Sequence, residues 1–201
     1  MSDMDWRVVL QIAGVVLGLI YLYLEYRASV WLWVVGVLMP VVHATLYLRQ
    51  GLYADFSMQL YYIVAGIYGL CVWLWYGERS TSTHEGLKIR PMPQRVWLWS
   101  VVAASVVFVV IYQLLSRFTD SNVPVWDALT TALSIVAMWL LSRKYVEQWL
   151  WWLLVDLLTV ALYFYKDIPL TASLYVLYSL LAVVGYRRWL AVWRKSVGRG
   201  L

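Results

Sequence analysis

Seven stretches of about twenty mostly apolar residues, separated by short polar links, run the length of this 201-residue chain. They fall at roughly 7–26, 29–48, 54–76, 96–115, 124–142, 147–165 and 169–190. At a rise of 1.5 Å per residue, about 20 residues of α-helix cover the roughly 30 Å hydrocarbon core of a bilayer. Seven in succession leave almost no polar surface to face water. Only 13% of the residues are charged, about half the 25% or so of a soluble domain. The 14 Trp and 16 Tyr suit the two membrane interfaces, where amphipathic rings collect. The sequence therefore predicts an all-α integral membrane protein of seven transmembrane helices.

The links assign every basic residue to a side. Arg7, Arg49, Arg117 and Lys166 fall on one. Arg27, Arg79, Lys88, Arg90, Arg95, Arg143, Lys144, Arg187, Arg188, Arg194, Lys195 and Arg199 fall on the other. Lys and Arg are retained in the cytoplasm, so this split of 4 against 12 predicts an outside N-terminus and a cytoplasmic C-terminus. The net charge of +5 then reads as topology and contact with membrane lipid, and no nucleic-acid partner is expected. The single cysteine, Cys71, allows no intrachain disulfide and no thiolate metal site. The first residues lack the basic segment and cleavage site of a leader, so none is expected.

Displacing the chain against itself by 116 residues aligns spans 1–3 with spans 5–7. Between residues 17 and 74 thirteen of 58 positions are identical, against roughly five expected by chance in so biased a composition. Among the matches are Arg27/Arg143, Trp33/Trp149, Tyr47/Tyr163, Tyr62/Tyr178, Gly69/Gly185 and Trp73/Trp189. Corresponding spans lie four crossings apart and enter the membrane from the same side. The expected organisation is two parallel three-helix repeats joined by an inverting linker helix, 3+1+3. Its parts are a first repeat over 1–76, a cytoplasmic loop and linker helix over 77–123, and a second repeat with a basic tail over 124–201. The 77–95 loop, with Pro91, Pro93 and a Ser/Thr run, reads as a hinge. Parallel repeats of this kind belong to transporters that bind substrate near the midplane.

Polar residues within the spans mark candidate contacts. Span 3 aligns Asp55, Gln59, Tyr62, Gly66, Gly69 and Trp73 on one helical stripe, and span 7 aligns Thr171, Tyr175, Tyr178, Ala182, Gly185 and Trp189. For Gly66, Gly69, Trp73 and Trp189 helix packing is the favoured role. Gln59 needs partners for its amide, from a neighbouring helix or a ligand. In span 6, Trp149, Trp152, Asp156, Thr159 and Tyr163 share a face, with Asp156 at the centre. A carboxyl there costs about 2.5–3.5 kcal/mol even on the lenient insertion scale, so it should face protein or a wet cavity. Three fates are open to it: protonation, hydrogen bonds to hydroxyls, or holding a cationic ligand, with the flanking rings stacking on a flat or cationic group. The matching position in span 2 is Pro40, one turn from His43, which can contact substrate, pair with Asp156 or bond a backbone carbonyl. Asp127, Thr130 and Ser134 form a polar stripe in span 5; span 1 contributes Gln11, Gly14, Gly18 and Tyr21. The candidate substrate-binding set is Gln59, Tyr62, Trp149, Trp152, Asp156, His43, Tyr163, Tyr178 and Asp127. No phosphate-binding loop, metal-binding His pair or nucleophile elbow occurs, so neither an enzyme nor a cofactor or metal is expected.

The stretches GLYADFSMQLYY (51–62) and IYG (67–69), WDA (126–128), VEQWLWWLLVD (146–156), LYFYK (162–166) and GYRRW (185–189) resemble the PnuC family of vitamin transporters over nearly the whole chain. The resemblance implies a SWEET-like fold, a homotrimer, and facilitated diffusion of a B-vitamin across the bacterial inner membrane, the substrate being trapped by cytoplasmic phosphorylation. It also places Gln59, Trp149, Trp152 and Asp156 at the substrate. Family members typically carry nicotinamide riboside. The LMP stretch (38–40) and the Tyr61–Tyr62 pair are similar to the branch that carries thiamine. Both vitamins have a cationic aromatic ring. The competing class is a non-transporting scaffold or receptor that retains the duplicated fold.

Overall fold

A computed structural model describes residues 16–49, 53–83, 87–118, 123–165 and 169–198, with no side chain for 46, 47, 49, 53–55, 57, 58, 76–83, 170 and 171. Gln11 and Gly14, and the side chains of Tyr47, Asp55 and Thr171, lie outside that description. Among the described residues there are seven helices and no β-strand: α1 (Val16–Tyr26), α2 (Trp31–Arg49), α3 (Tyr53–Thr83), α4 (Gln94–Phe118), α5 (Pro124–Ser142), α6 (Gln148–Tyr165) and α7 (Pro169–Gly198). Their positions match the seven apolar segments. By length and apolarity α4, α5 and α6 meet the requirement for crossing a membrane, and the described apolar stretches of α1, α2 and α3 are shorter. The chain divides into two compact units, 1–86 and 87–201.

In the first unit α2 packs along α3. Three small residues permit this. A Cβ added to Gly69 would overlap the Trp33 ring, and one added to Gly66 would lie 2.7 Å from Val37 and 3.7 Å from the Gly36 carbonyl oxygen. Trp33, 1% exposed, fills the gap over Gly69 and meets the Trp73 ring edge-on, centroids 5.6 Å apart at 83°. Pro40 inside α2 has no N–H to give the carbonyl of Gly36, four residues back.

The second unit repeats that pair. In the α6–α7 contact a Cβ on Gly185 would lie 2.6 Å from Trp149, and Trp149 meets Trp189 edge-on at 5.9 Å and 88°. All three positions are displaced by 116 from Gly69, Trp33 and Trp73. The turns repeat too. Helix α1 ends with the Ser29 N–H donating to Leu24 O (2.9 Å) and the Ala28 N–H to Glu25 O (2.8 Å); α5 ends with Tyr145 donating to Leu140 O (3.1 Å) and Lys144 to Leu141 O (2.9 Å). That is the Schellman pattern, which needs a left-handed residue just past the helix. Here those residues are Ala28 (φ 51°) and Lys144 (φ 55°), neither a glycine.

The core of the second unit is built by Leu133, Val136, Ala137 and Leu140 of α5, Trp151 and Val155 of α6, and Ala104 of α4. On α4 only Ser100 and Ala104 are buried, which suits a helix with lipid along most of its length.

The segment expected to be a hinge is ordered at both ends. Helix α3 continues to Thr83. Beyond residue 86 the chain is fastened to the α5–α6 turn. Arg90 donates its N–H to Lys144 O (3.2 Å) and accepts at its carbonyl from the Val146 N–H (3.0 Å). Its guanidinium lies 4.9 Å from the Tyr145 ring centroid and donates to the Tyr145 hydroxyl (3.2 Å). The Met92 N–H donates to Glu147 Oε2 (2.7 Å), and Met92 is buried in the core. These contacts clasp the start of α4 to the turn after α5.

Candidate functional site

The α6 and α7 faces of the second unit bring together much of the predicted set. Asp156 lies in the middle of α6 and is buried, 7% exposed. Its Thr159 neighbour does not serve it, because that hydroxyl donates to Val155 O (2.7 Å). Among the described residues no donor lies within hydrogen-bond distance of the Asp156 carboxyl, so the hydroxyl-bonded fate is not the one observed. The Tyr178 hydroxyl lies within electrostatic reach of the carboxyl. Tyr178 meets Tyr175 edge-on (5.6 Å, 74°), and Tyr175 stacks on Tyr163 (5.5 Å, 18°). A buried acid beside a tyrosine ladder is a setting for a cation with a flat ring, since ring faces carry negative charge density.

The two span 6 tryptophans differ. Trp149 is 2% exposed and enclosed by Gly185 and Trp189, a packing role that sequence did not separate from ligand contact. Trp152 is half-buried, packs against the α5–α6 core and keeps a buried indole N–H without a partner. Asp127 sits in the first turn of α5, where a carboxylate complements the helix dipole. The span 5 hydroxyls are absorbed locally: Thr130 donates to Trp126 O (3.0 Å) and Ser134 to Thr130 O (2.8 Å).

In the first unit Gln59 is half-buried on α3, and Tyr62 meets Tyr61 edge-on at 5.4 Å. His43 takes one of its three open roles, its Nδ1–H donating to Met39 O (3.0 Å). Trp73 is buried against Trp33, and Trp189 is 0% exposed against Trp149, as the packing role requires. Sequence reasoning passed over Glu25, 2% exposed in the last turn of α1. An acid in that turn opposes the helix dipole, and this is the signal that would have found it.

A separate groove of about 410 Å³ lies between α4, α5 and α6, lined by Trp97, Phe108, Leu133 and Trp151 among others. Its lining is apolar and excludes Asp156. Without groups to orient a polar vitamin it suits lipid rather than substrate.

Fold and site together define a multi-pass helical membrane protein with a repeated helix-pair motif and a buried acid beside aromatic rings. The family model for the nicotinamide mononucleotide transporter matches residues 8–191, and the chain belongs to that family of membrane transporters. It is 27% identical to the nicotinamide riboside transporter PnuC of Escherichia coli K12, over 99% of this chain and 91% of that protein. It is 29% identical to the riboflavin/roseoflavin transporter RibM of Streptomyces davaonensis, over 91% of this chain and 84% of that protein. A crystal structure of the vitamin B3 transporter PnuC superposes with a TM-score of 0.68 at 26% identity, covering 90% of this chain and 80% of that one. Family membership makes the chain a transporter and not an enzyme, and sets aside the non-transporting scaffold.

Proposed function

We propose that this protein carries a B-vitamin with a cationic aromatic ring, nicotinamide riboside first and thiamine second, into the cell by facilitated diffusion. The observation that carries this reading is Asp156, buried in α6 within electrostatic reach of Tyr178, whose ring leads through Tyr175 to Tyr163. A carboxylate is costly to keep charged in so apolar a setting, and a cationic ring supplies the missing charge. The nicotinamide riboside relatives support the first choice. The flavin relative carries a neutral ring, which gives a buried acid no charge to balance.

In this reading Gln59 and Tyr62 of the first unit, and Trp152, Asp156, Tyr163 and Tyr178 of the second, contact substrate. Asp127 and His43 act near the path, and the indole N–H of Trp149 is the part of that residue open to a ligand role. Helices α1–α3 and α5–α7 are the two repeats, with α4 as linker. The protein works as a homotrimer in the bacterial inner membrane, with its N-terminus outside, its C-terminus inside, and phosphorylation in the cytoplasm trapping what enters. Uptake of labelled nicotinamide riboside into proteoliposomes tests the reading. It should follow the substrate gradient, stop at equal concentrations and be indifferent to ionophores. Accumulation above the outside concentration that an ionophore abolishes would replace facilitated diffusion with ion coupling.

A further inference from the structure

At one pair of equivalent positions the two units carry their large ring on opposite helices. In the first, Tyr21 of α1 lies against Gly36 of α2, where an added Cβ would come within 3.0 Å of the ring. Displaced by 116, these positions become Ala137 of α5 and Trp152 of α6. There the small residue is on the first helix, 0% exposed in the core, and the large ring on the second packs against that core. Large and small residues have changed places between the two pairs of positions. Both rings carry one polar group, and both groups are buried without a partner: the Tyr21 hydroxyl and the Trp152 indole N–H.

Buried polar groups are nearly always hydrogen-bonded, and leaving one unmet costs about 1–3 kcal/mol. Leu or Phe would fill either space without that cost. Nor is the setting of Tyr21 otherwise apolar. Glu25, one turn on, is also buried and within electrostatic reach of the hydroxyl. We infer that Tyr21 is a substrate-contact residue of the first unit, the counterpart of Trp152, its hydroxyl bonding a polar group of the vitamin. The inference rests on the proposed vitamin transport and adds a specificity-determining residue to it.

The test is Tyr21→Phe, which removes only the hydroxyl, studied with wild type and Asp156→Asn in the same detergent. Nicotinamide riboside should bind Tyr21→Phe roughly tenfold more weakly than wild type, about 1.4 kcal/mol. Its melting temperature without ligand should be equal or higher, because an unmet buried hydroxyl contributes nothing to the free protein. Unchanged affinity, or a lower ligand-free melting temperature, would overturn the assignment; the latter means that the hydroxyl serves the fold. Absence of binding to wild type would instead count against the proposed substrate, while the melting comparison would still judge Tyr21. The exchange itself is checked with Tyr21→Ala, Gly36→Trp and the double variant. The double variant should be more stable than either single, and a double variant no better than the weaker single would show that the two rings do not share a space.

Discussion

Ala28 and Lys144 hold the same left-handed turn in the two units, at φ of 51° and 55°. A residue with a Cβ pays about 1–2 kcal/mol there, and glycine pays little. Ala28→Gly should therefore raise stability by about 1 kcal/mol, read as a higher melting temperature in detergent. Lys144→Gly should do the same and more, because burial pushes the Lys144 amine down to about 8. The sign follows from proton counting. Between about 8 and the ordinary 10.5 the unfolded chain holds more protons than the folded one, so stability rises with pH across that window. Below 8 the full cost of burying the charge is present. The advantage of Lys144→Gly over wild type should thus be largest at pH 7 and shrink towards pH 10, while that of Ala28→Gly stays flat. Single residues were only partly legible in sequence. Asp156 stood out because an acid in an apolar run is conspicuous. Tyr21 was visible as a polar residue of span 1, but its exchange with Gly36 was not, because a search for identities passes over positions where large and small residues have traded places.

Two helix pairs, α2–α3 and α6–α7, share one contact motif. The Trp33–Gly69–Trp73 and Trp149–Gly185–Trp189 contacts are the same joint built twice. Gly69→Ala and Gly185→Ala should each destabilise by about 1–3 kcal/mol, the ordinary cost of overpacking a core, measured as a lower melting temperature. Trp73→Ala should likewise cost stability yet leave vitamin affinity largely intact in the protein that remains folded. The clasp belongs to this scale as well. Glu147→Ala leaves the buried Met92 N–H without its acceptor, a loss of about 1–3 kcal/mol, and amide exchange at Met92 should accelerate. The apolar segments gave the helices because a membrane filters for length and hydrophobicity. The continuation of α3 to Thr83 carries no apolar signal, and the clasp joins residues 55 apart in the chain, a pairing that no local pattern encodes.

At the scale of the whole molecule, the distribution of Lys and Arg makes a prediction independent of the site. In a Cys71→Ser background, Ser2→Cys should react with an impermeant maleimide on intact cells, and Ser196→Cys only after permeabilisation. The reverse pattern would invert the orientation. Substrate choice in the proposed transport turns on charge recognition by Asp156, and nicotinamide riboside offers a direct control, because its dihydro form keeps the shape and loses the positive charge. The decisive measurement is the affinity of both forms for wild type and Asp156→Asn by quenching of tryptophan fluorescence. Wild type should prefer the charged form by about 100-fold, within the 2–5 kcal/mol typical of a buried charge pair. Asp156→Asn should bind both forms alike, the loss falling on the charged one. Equal preference in wild type and variant would show that the buried carboxyl does not read the cation.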